Sequence, residues 1–178
     1  MTGTDEVLAV NARNGDKEAL QRLLDRHHET AFRFSYRLLG SRADAQDVAQ
    51  EICMRIVERI GSFQGKSRFS TWLYQLVLNA CRDHKRRQRT VRSIQEGYAI
   101  FHTGLSADWA DSEKKIRWLY LALDQLKPDL KETALLILAE DVTQEEAAAI
   151  LGISPGTVAW RMSEVKKRLR AMAEQDDA

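Results

Sequence analysis

The chain has 178 residues, of which 44% are hydrophobic and 30% charged, with two prolines and nine glycines. That length and composition fit one ordinary or two small soluble folded domains, and they exclude collagen-like, disordered and disulfide-scaffold classes. The formal charge of +1 excludes a uniformly basic or acidic chain, but it hides an uneven distribution. Between Lys66 and Arg92 eight cations face Asp83 alone, whereas between Asp44 and Glu58 four carboxylates face Arg55 alone.

Long Ala/Leu/Arg/Glu-rich segments with no alternating β-branched run predict an all-α protein. The pattern divides it into two small helical domains joined by a linker: 1–88, a linker over 89–112, and 113–178. In the first domain Asp16 can cap a helix running through Leu20, Leu23, Leu24 and His27 to Phe32, Phe34 and Leu38. Gly40 stops it, and Ser41 opens a second helix over about Ala43 to Ile60. "GSFQGKSRFS" is a loop, and Ser70 is expected to cap a third helix that runs through Trp72, Leu73, Leu76, Val77 and Ala80 to the arginines.

On the second helix Ala45, Val48, Ala49, Ile52, Ile56 and Ile60 share an inward arc. Asp44, Asp47, Gln50, Glu51 and Glu58 share the other, with Met54 among them. Like charges three and four apart weaken a helix by a few tenths of a kcal/mol per pair, so this arc reads either as a solvated face or as a docking surface for a basic protein partner anchored by Met54. In the loop and third helix, Phe63, Phe69, Trp72 and Tyr74 stand among Lys66, Arg68 and Arg82. Aromatic faces beside cations suit unstacked single-stranded bases, each stack contributing about 1–3 kcal/mol. Phe69 and Trp72 fit a core position equally well. Lys85, Arg86, Arg87 and Arg89 resemble a phosphate track.

Periodicity fades from about Gln88 to Ser112. That segment carries Tyr98, Ile100, Phe101 and Trp109, which leaves packing on its own domains or on a partner open. In the second domain Ile116, Leu119, Tyr120, Leu123 and Leu126 keep helical spacing until Pro128, and another helix spans about Asp129 to Glu140. Thr143 with Glu146 forms a capping box for a helix ending at Leu151. Gly152 supplies a turn, Ser154 caps the next helix, and Pro155 takes its first position. Val158, Met162, Val165 and Leu169 then form an inward stripe. The opposite side carries Trp160, Ser163, Glu164 and Lys167, flanked by Thr157, Arg161, Arg168 and Arg170. A short turn, two caps and basic flanks make a helix-turn-helix whose second helix offers polar groups to base edges and cations to phosphates. Trp160 suits a thymine methyl or a neighbouring helix, and Glu164 a cytosine amino group.

Cys53 and Cys81 lack any CxxC or Cys/His spacing, and adjacent His27 and His28 point to different sides of a helix. No metal-ligand cluster, glycine-rich phosphate loop or nucleophile pair is visible, so neither a cofactor, a metal nor an enzymatic activity is expected. No leader and no long apolar run is visible, which predicts a cytoplasmic protein without membrane insertion.

Two segments resemble a known family. "GSRADAQDVAQEICMRIVERIGSFQGKSRFSTWLYQLVLNACRDHKRR" is similar to region 2 of bacterial RNA polymerase sigma factors of the extracytoplasmic-function group, and "ALDQLKPDLKETALLILAEDVTQEEAAAILGISPGTVAWRMSEVKKRLR" resembles their region 4. The resemblance implies a subunit that directs core polymerase to promoters and initiates transcription under the control of an anti-sigma factor. It assigns Asp44, Asp47, Gln50 and Glu51 to the clamp of the polymerase's largest subunit, and the second domain to the flap of the second subunit. Phe63, Lys66, Arg68, Phe69 and Ser70 match the loop that pockets a flipped −10 base. Trp72, Tyr74, Asn79, Asp83 and Arg86 match the helix along the −10 strand. Ser154, Gly156, Thr157, Trp160, Arg161, Ser163 and Lys167 match the −35 reading helix. Ala159, Trp160, Glu164 and Lys66 depart from the family's usual residues. A stand-alone helix-turn-helix repressor or activator is the competing class; the sequence offers it no dimerisation helix.

Overall fold

A computed structural model describes residues 4–94 and 111–176, and all regular structure among them is helical. The chain divides into two compact units, Met1–Thr103 and Gly104–Ala178. The expected linker residues Tyr98, Ile100, Phe101 and Trp109 lie outside the described residues.

The first unit contains α1 (Asp5–Arg13), α2 (Lys17–Leu39), α3 (Arg42–Arg59), a 3-10 turn (Ile60–Ser62) and α4 (Phe69–Ile94). Asp16 caps α2 as its spacing predicts, its carboxylate accepting the Glu18 and Ala19 N–H groups at 3.0 Å each. Gly40 ends the helix in the left-handed conformation at φ 73°, which glycine adopts at no steric cost. Ser41 follows directly and caps α3 through the Asp44 N–H. Two residues therefore stop one helix and start the next. The core joins Leu8, Ala9 and Ala12 of α1, Leu23, Ala31, Phe34 and Leu38 of α2, Val48, Ile52 and Ile56 of α3, and Phe69, Leu73, Val77 and Cys81 of α4. Each large apolar side chain fully buried there stabilises the unit by about 1.5–3 kcal/mol.

Two features differ from the sequence expectation. α1, for which no helix was expected, is capped by Thr4 and packs a Leu8–Ala9–Ala12 stripe inward. Ser70 does not cap α4: the helix already begins at Phe69, and the Phe69 N–H donates to a Glu6 carboxylate oxygen 3.3 Å away. The cap comes from α1, 63 residues earlier in the chain, so local spacing could not reveal it.

The second unit contains α5 (Asp111–Asp124), α6 (Pro128–Ala139), α7 (Gln144–Leu151) and α8 (Pro155–Asp176). Pro128 opens α6, where its missing N–H leaves no bond unmade. The Thr143–Glu146 capping box forms in both directions, at 3.2 Å and 3.0 Å. Gly152 turns the chain at φ 68°, and Ser154 Oγ accepts the Thr157 N–H at 3.1 Å to start α8. Leu123, Leu126, Leu130, Leu135, Ile150, Val158, Met162 and Val165 close the core. Leu169, expected as the last member of the α8 stripe, is half-buried.

Candidate nucleic-acid and partner surfaces

The carboxylate arc of α3 splits into two populations. Asp44 and Glu51 turn toward α4. Asp44 lies 3.1 Å from His84 Nε2. Burial pushes its carboxyl up, but hydrogen bonds from Gln88, Ser41 and His84 outweigh that and hold it below its ordinary value. Glu51 accepts from Arg55 at 2.6 Å and from Arg87 at 3.2 Å. Asp47, Gln50 and Glu58 are exposed and make no ion pair or side-chain hydrogen bond among the described residues. Met54 (60% exposed) and Val57 (50% exposed) lie with them. Residues 47, 50, 54 and 57/58 follow helical spacing along one line, an apolar centre with an acid at each end. Val57 was missed from sequence, although its position three residues after Met54 was a usable signal.

α4 spends many of its cations inside the unit. Lys85 Nζ donates to the Leu38 carbonyl at 2.8 Å, Arg87 reaches Glu51, and Arg86 reaches Asp83 at 3.1 Å while remaining exposed. Asp83 also faces Arg55 at 3.6 Å. The described part of the expected phosphate track is therefore partly a brace between helices. The outer line of α4 carries Trp72, Gln75, Asn79, Asp83 and Arg86 at steps of three and four, with Arg82 also exposed. Gln75 is the residue of this line that sequence reasoning missed.

Most of the expected stacking rings are core residues. Phe63 and Phe69 are 2% and 0% exposed and meet edge to face at 5.7 Å. Tyr74 is buried edge-on against Phe34 at 5.1 Å. Trp72 is half-buried, 5.8 Å from Phe63 and 5.5 Å from Phe69, and is the ring of the four with appreciable surface toward solvent. Between Phe63 and Phe69 the chain makes an exposed loop, Gln64–Arg68, that contains Lys66 and Arg68 and turns at Gly65 with φ 69°. Ser70 lies half-buried in the first turn of α4. The sequence pattern offered a core position to Phe69 and Trp72 alone; the structure buries Phe69 together with Phe63 and Tyr74, for which only a stacking role was expected, and leaves Trp72 half-buried.

In the second unit Ser154, Gly156, Trp160, Ser163 and Lys167 are exposed, and Trp160 is 62% exposed on the outward face of α8. Thr157 is half-buried, its hydroxyl 2.9 Å from Ser154 Oγ. Lys166, Lys167 and Arg170 border a shallow groove with Ser163, Ala171 and Glu174. None of the three cations has an ion pair or hydrogen bond among the described residues. Arg161 is different. It is half-buried and turned onto α6, with Nη1 3.4 Å from both the Asp129 carbonyl and Thr133 Oγ1, and Nη2 3.6 Å from the Asp129 carboxylate. In this conformation it holds α8 against α6. Glu164 is paired with Arg168 at 2.8 Å, and that hydrogen bond keeps its carboxyl below the ordinary value. The acid expected on the reading face is thereby neutralised by its own helix.

His27 is buried and His28 exposed, so the two do not converge. His27 Nε2 lies 2.9 Å from Asp5 and its ring 5.0 Å from Phe69. Burial lowers its proton affinity more than Asp5 restores it. Among the described residues no group of three or more His, Cys, Asp and Glu could hold a metal ion, and no helix is long and apolar enough to cross a membrane.

A helical unit whose α4 carries an exposed polar line beside Trp72, followed by a capped helix-turn-helix unit, defines a two-part all-α protein of the DNA-binding class. Comparison with known proteins places it within that class. The sigma-70 region 2 family profile matches residues 23–91, and the sigma-70 region 4 profile residues 116–169. The RNA polymerase sigma factor CarQ of Myxococcus xanthus is 33% identical over 164 residues, covering 90% of this chain and 92% of CarQ. The ECF RNA polymerase sigma factor EcfG of Rhodopseudomonas palustris is 32% identical, covering 82% and 80%. The structure of CnrH in complex with the cytosolic domain of CnrY superposes with a TM-score of 0.73 at 25% identity, covering 97% of this chain and 98% of that one. The chain belongs to the RNA polymerase sigma factors of the extracytoplasmic-function group.

Proposed function

We propose that residues 1–88 act as region 2, residues 113–178 as region 4 and residues 89–112 as the connector, and that each unit holds one promoter element and one polymerase surface. The Asp47–Gln50–Met54 line, with Val57 and Glu58, docks on the clamp of the largest polymerase subunit. Asp44 and Glu51 hold that line in register through α4. An apolar centre excludes water while the flanking acids select a basic counterpart. Loop Gln64–Arg68 receives a −10 base taken out of the stack, and Trp72, Asn79, Asp83 and Arg86 run beside the opened strand. Trp72 offers the ring that keeps surface toward solvent beside the two rings that flank the loop. In the second unit Ser154, Gly156, Trp160, Ser163 and Lys167 read the −35 duplex, with Lys166 and Arg170 on its phosphates. The unit's remaining surface docks on the flap of the second subunit.

The chemistry is recognition and strand capture. No enzymatic step, cofactor or metal is part of it. It acts in the cytoplasm, without membrane insertion. The CnrH structure contains a cytosolic partner domain, which supports control of this chain by an anti-sigma factor that covers its polymerase-docking faces.

The observation that carries this reading is the presence, in one chain, of an outward-facing helix-turn-helix with double caps and a separate unit whose exposed loop adjoins the polar outer line of α4. The test is transcription with purified chain and core polymerase on a promoter library. Specific initiation only when both are present supports the reading. Tight, sequence-specific duplex binding by the chain alone, with no stimulation of core enzyme, would instead identify a stand-alone regulator.

A further inference from the structure

The loop Gln64–Arg68 is closed at its base by two rings and by a helix that lies outside the region 2 match. Phe63 and Phe69 touch edge to face, bringing the two ends of the loop together. α1 then bonds the backbone at both ends. Arg13 Nη1 donates to the Phe63 carbonyl at 3.2 Å, and Glu6 Oε1 accepts the Phe69 N–H at 3.3 Å. A third residue of α1, Asp5, faces His27 at 2.9 Å, and the His27 ring lies 5.0 Å from Phe69. Leu8, Ala9 and Ala12 fix α1 itself in the core. The matched region begins only at residue 23, so none of these α1 residues belongs to it.

These contacts have a purpose beyond filling space. The Phe63 carbonyl and the Phe69 N–H are loop-end and helix-start groups that regular helix bonding leaves unpaired. α1 satisfies both from a rigid element. The five residues between them are exposed, and Gly65 sits in the left-handed region. Left to itself, a loop of that kind samples many shapes. With its ends held a fixed distance apart, fewer remain. A loop that must accept an extruded base binds it more tightly when its shape is set beforehand, because less ordering accompanies capture.

We propose that Glu6 and Arg13 of α1 are positioning residues for −10 base capture: together they bracket the loop Gln64–Arg68 and set its shape before DNA arrives. The inference rests on the assignment of that loop to the −10 element, and it adds a control by residues outside the matched region. Glu6 and Arg13 need not touch DNA. Their effect is on discrimination: a preset loop favours the one base it fits, whereas a loosened loop admits all bases more evenly.

The test uses the full-length chain with core polymerase and a promoter chosen from the library by the wild-type holoenzyme, together with single-base changes through its −10 element. Glu6→Ala and Arg13→Ala are each expected to reduce the ratio of initiation on the preferred −10 sequence to that on its best-bound single-base variants by about fivefold, the effect of one lost hydrogen bond. Glu6→Gln, which keeps an acceptor oxygen, should restore the ratio. Amide hydrogen exchange should speed up at residues 64–69 in both alanine variants while core-polymerase binding stays unchanged. Equal loss on every promoter, with the ratio intact, would show a merely structural role and overturn the proposal. Lys66→Ala, within the loop, separates the two layers. If it changes −10 preference while Glu6→Ala and Arg13→Ala do not, the bracket is wrong and the loop assignment stands. If Lys66→Ala and the two α1 variants all leave −10 preference unchanged, both fall.

Discussion

α4 and α8 are both long, cation-rich helices, yet they spend their charge in opposite ways. On α4, Lys85 holds the end of α2, Arg87 holds Glu51 of α3, and Arg86 holds Asp83. On α8, Lys166, Lys167 and Arg170 are exposed and make no ion pair among the described residues, Arg168 pairs with Glu164 of the same helix, and Arg161 turns inward onto α6. A count of lysines and arginines does not distinguish a brace from a grip. What distinguishes them is whether a neighbouring helix presents carboxylates or carbonyls at the right height. α3 does so for α4. For the outward face of α8 no described helix does.

The largest effect is expected on the α3 arc. Asp47→Arg combined with Met54→Asp should weaken core-polymerase binding by about 2 kcal/mol or more, roughly thirtyfold, with little change in melting temperature. Fluorescence anisotropy with labelled chain would measure it. Glu51→Ala should do the reverse. It removes the carboxylate that Arg87 reaches and leaves Arg55 the longer contact to Asp83, so the first unit should lose about 1–2 kcal/mol in urea unfolding, whereas Asp47→Ala should stay within about 0.5 kcal/mol. A similar cost for both would erase the division between inward and outward acids.

On α8 the contrast is between Trp160 and Arg161. Trp160→Ala should alter −35 preference by about 1–3 kcal/mol at the base pair it meets, read by competition between holoenzyme-bound promoters. Lys167→Ala should lower affinity for all −35 sequences evenly and reduce the salt slope by about one. Arg161→Ala should act mainly through the second unit's stability, by about 1 kcal/mol, because it abandons Asp129 and Thr133. Altered base preference from Arg161→Ala at unchanged stability would return that residue to the DNA face.

The smallest effect concerns pH. Burial holds His27 below its ordinary value near 6.5, against the pull of Asp5 and Glu6 and alongside repulsion from Arg26. The unfolded chain therefore takes up a proton more readily than the folded one. The contribution is complete above that ordinary value and is lost as pH falls through the lower folded value. The first unit should weaken with acidification through that window, and His27→Gln should flatten the slope in denaturation curves taken across it. Asp44 behaves in the same direction but at lower pH, since its folded carboxyl is held below the ordinary 3.8.

Local signals were readable in the sequence wherever the chain satisfies itself. Asp16, Gly40 and Ser41, the Thr143–Glu146 box, Gly152, Ser154 and Pro155 all act within three or four residues, and they gave the α2–α3 junction and the helix-turn-helix with their residue numbers. Contacts between distant segments were not readable. Nothing near Phe69 announces Glu6 as the acceptor for its N–H. Nothing on α8 announces that Asp129 draws Arg161 inward, although its place about 60° from the centre of the apolar stripe made either side reachable. The acid arc of α3 was legible as an arc. Which of its carboxylates α4 would claim depended on pairings between residues 36 and 40 apart in sequence, Glu51 with Arg87 and Asp44 with His84.

The ion pairs that knit α3 to α4 and Glu164 to Arg168 also bear on how the free protein travels. A chromosome offers on the order of a million or more non-specific sites, and a polypeptide that displayed every lysine and arginine would be held on them by counterion release. Here much of that charge is cancelled at home. The unaccompanied molecule should therefore hold non-specific duplex weakly, with the polymerase supplying much of the electrostatic grip.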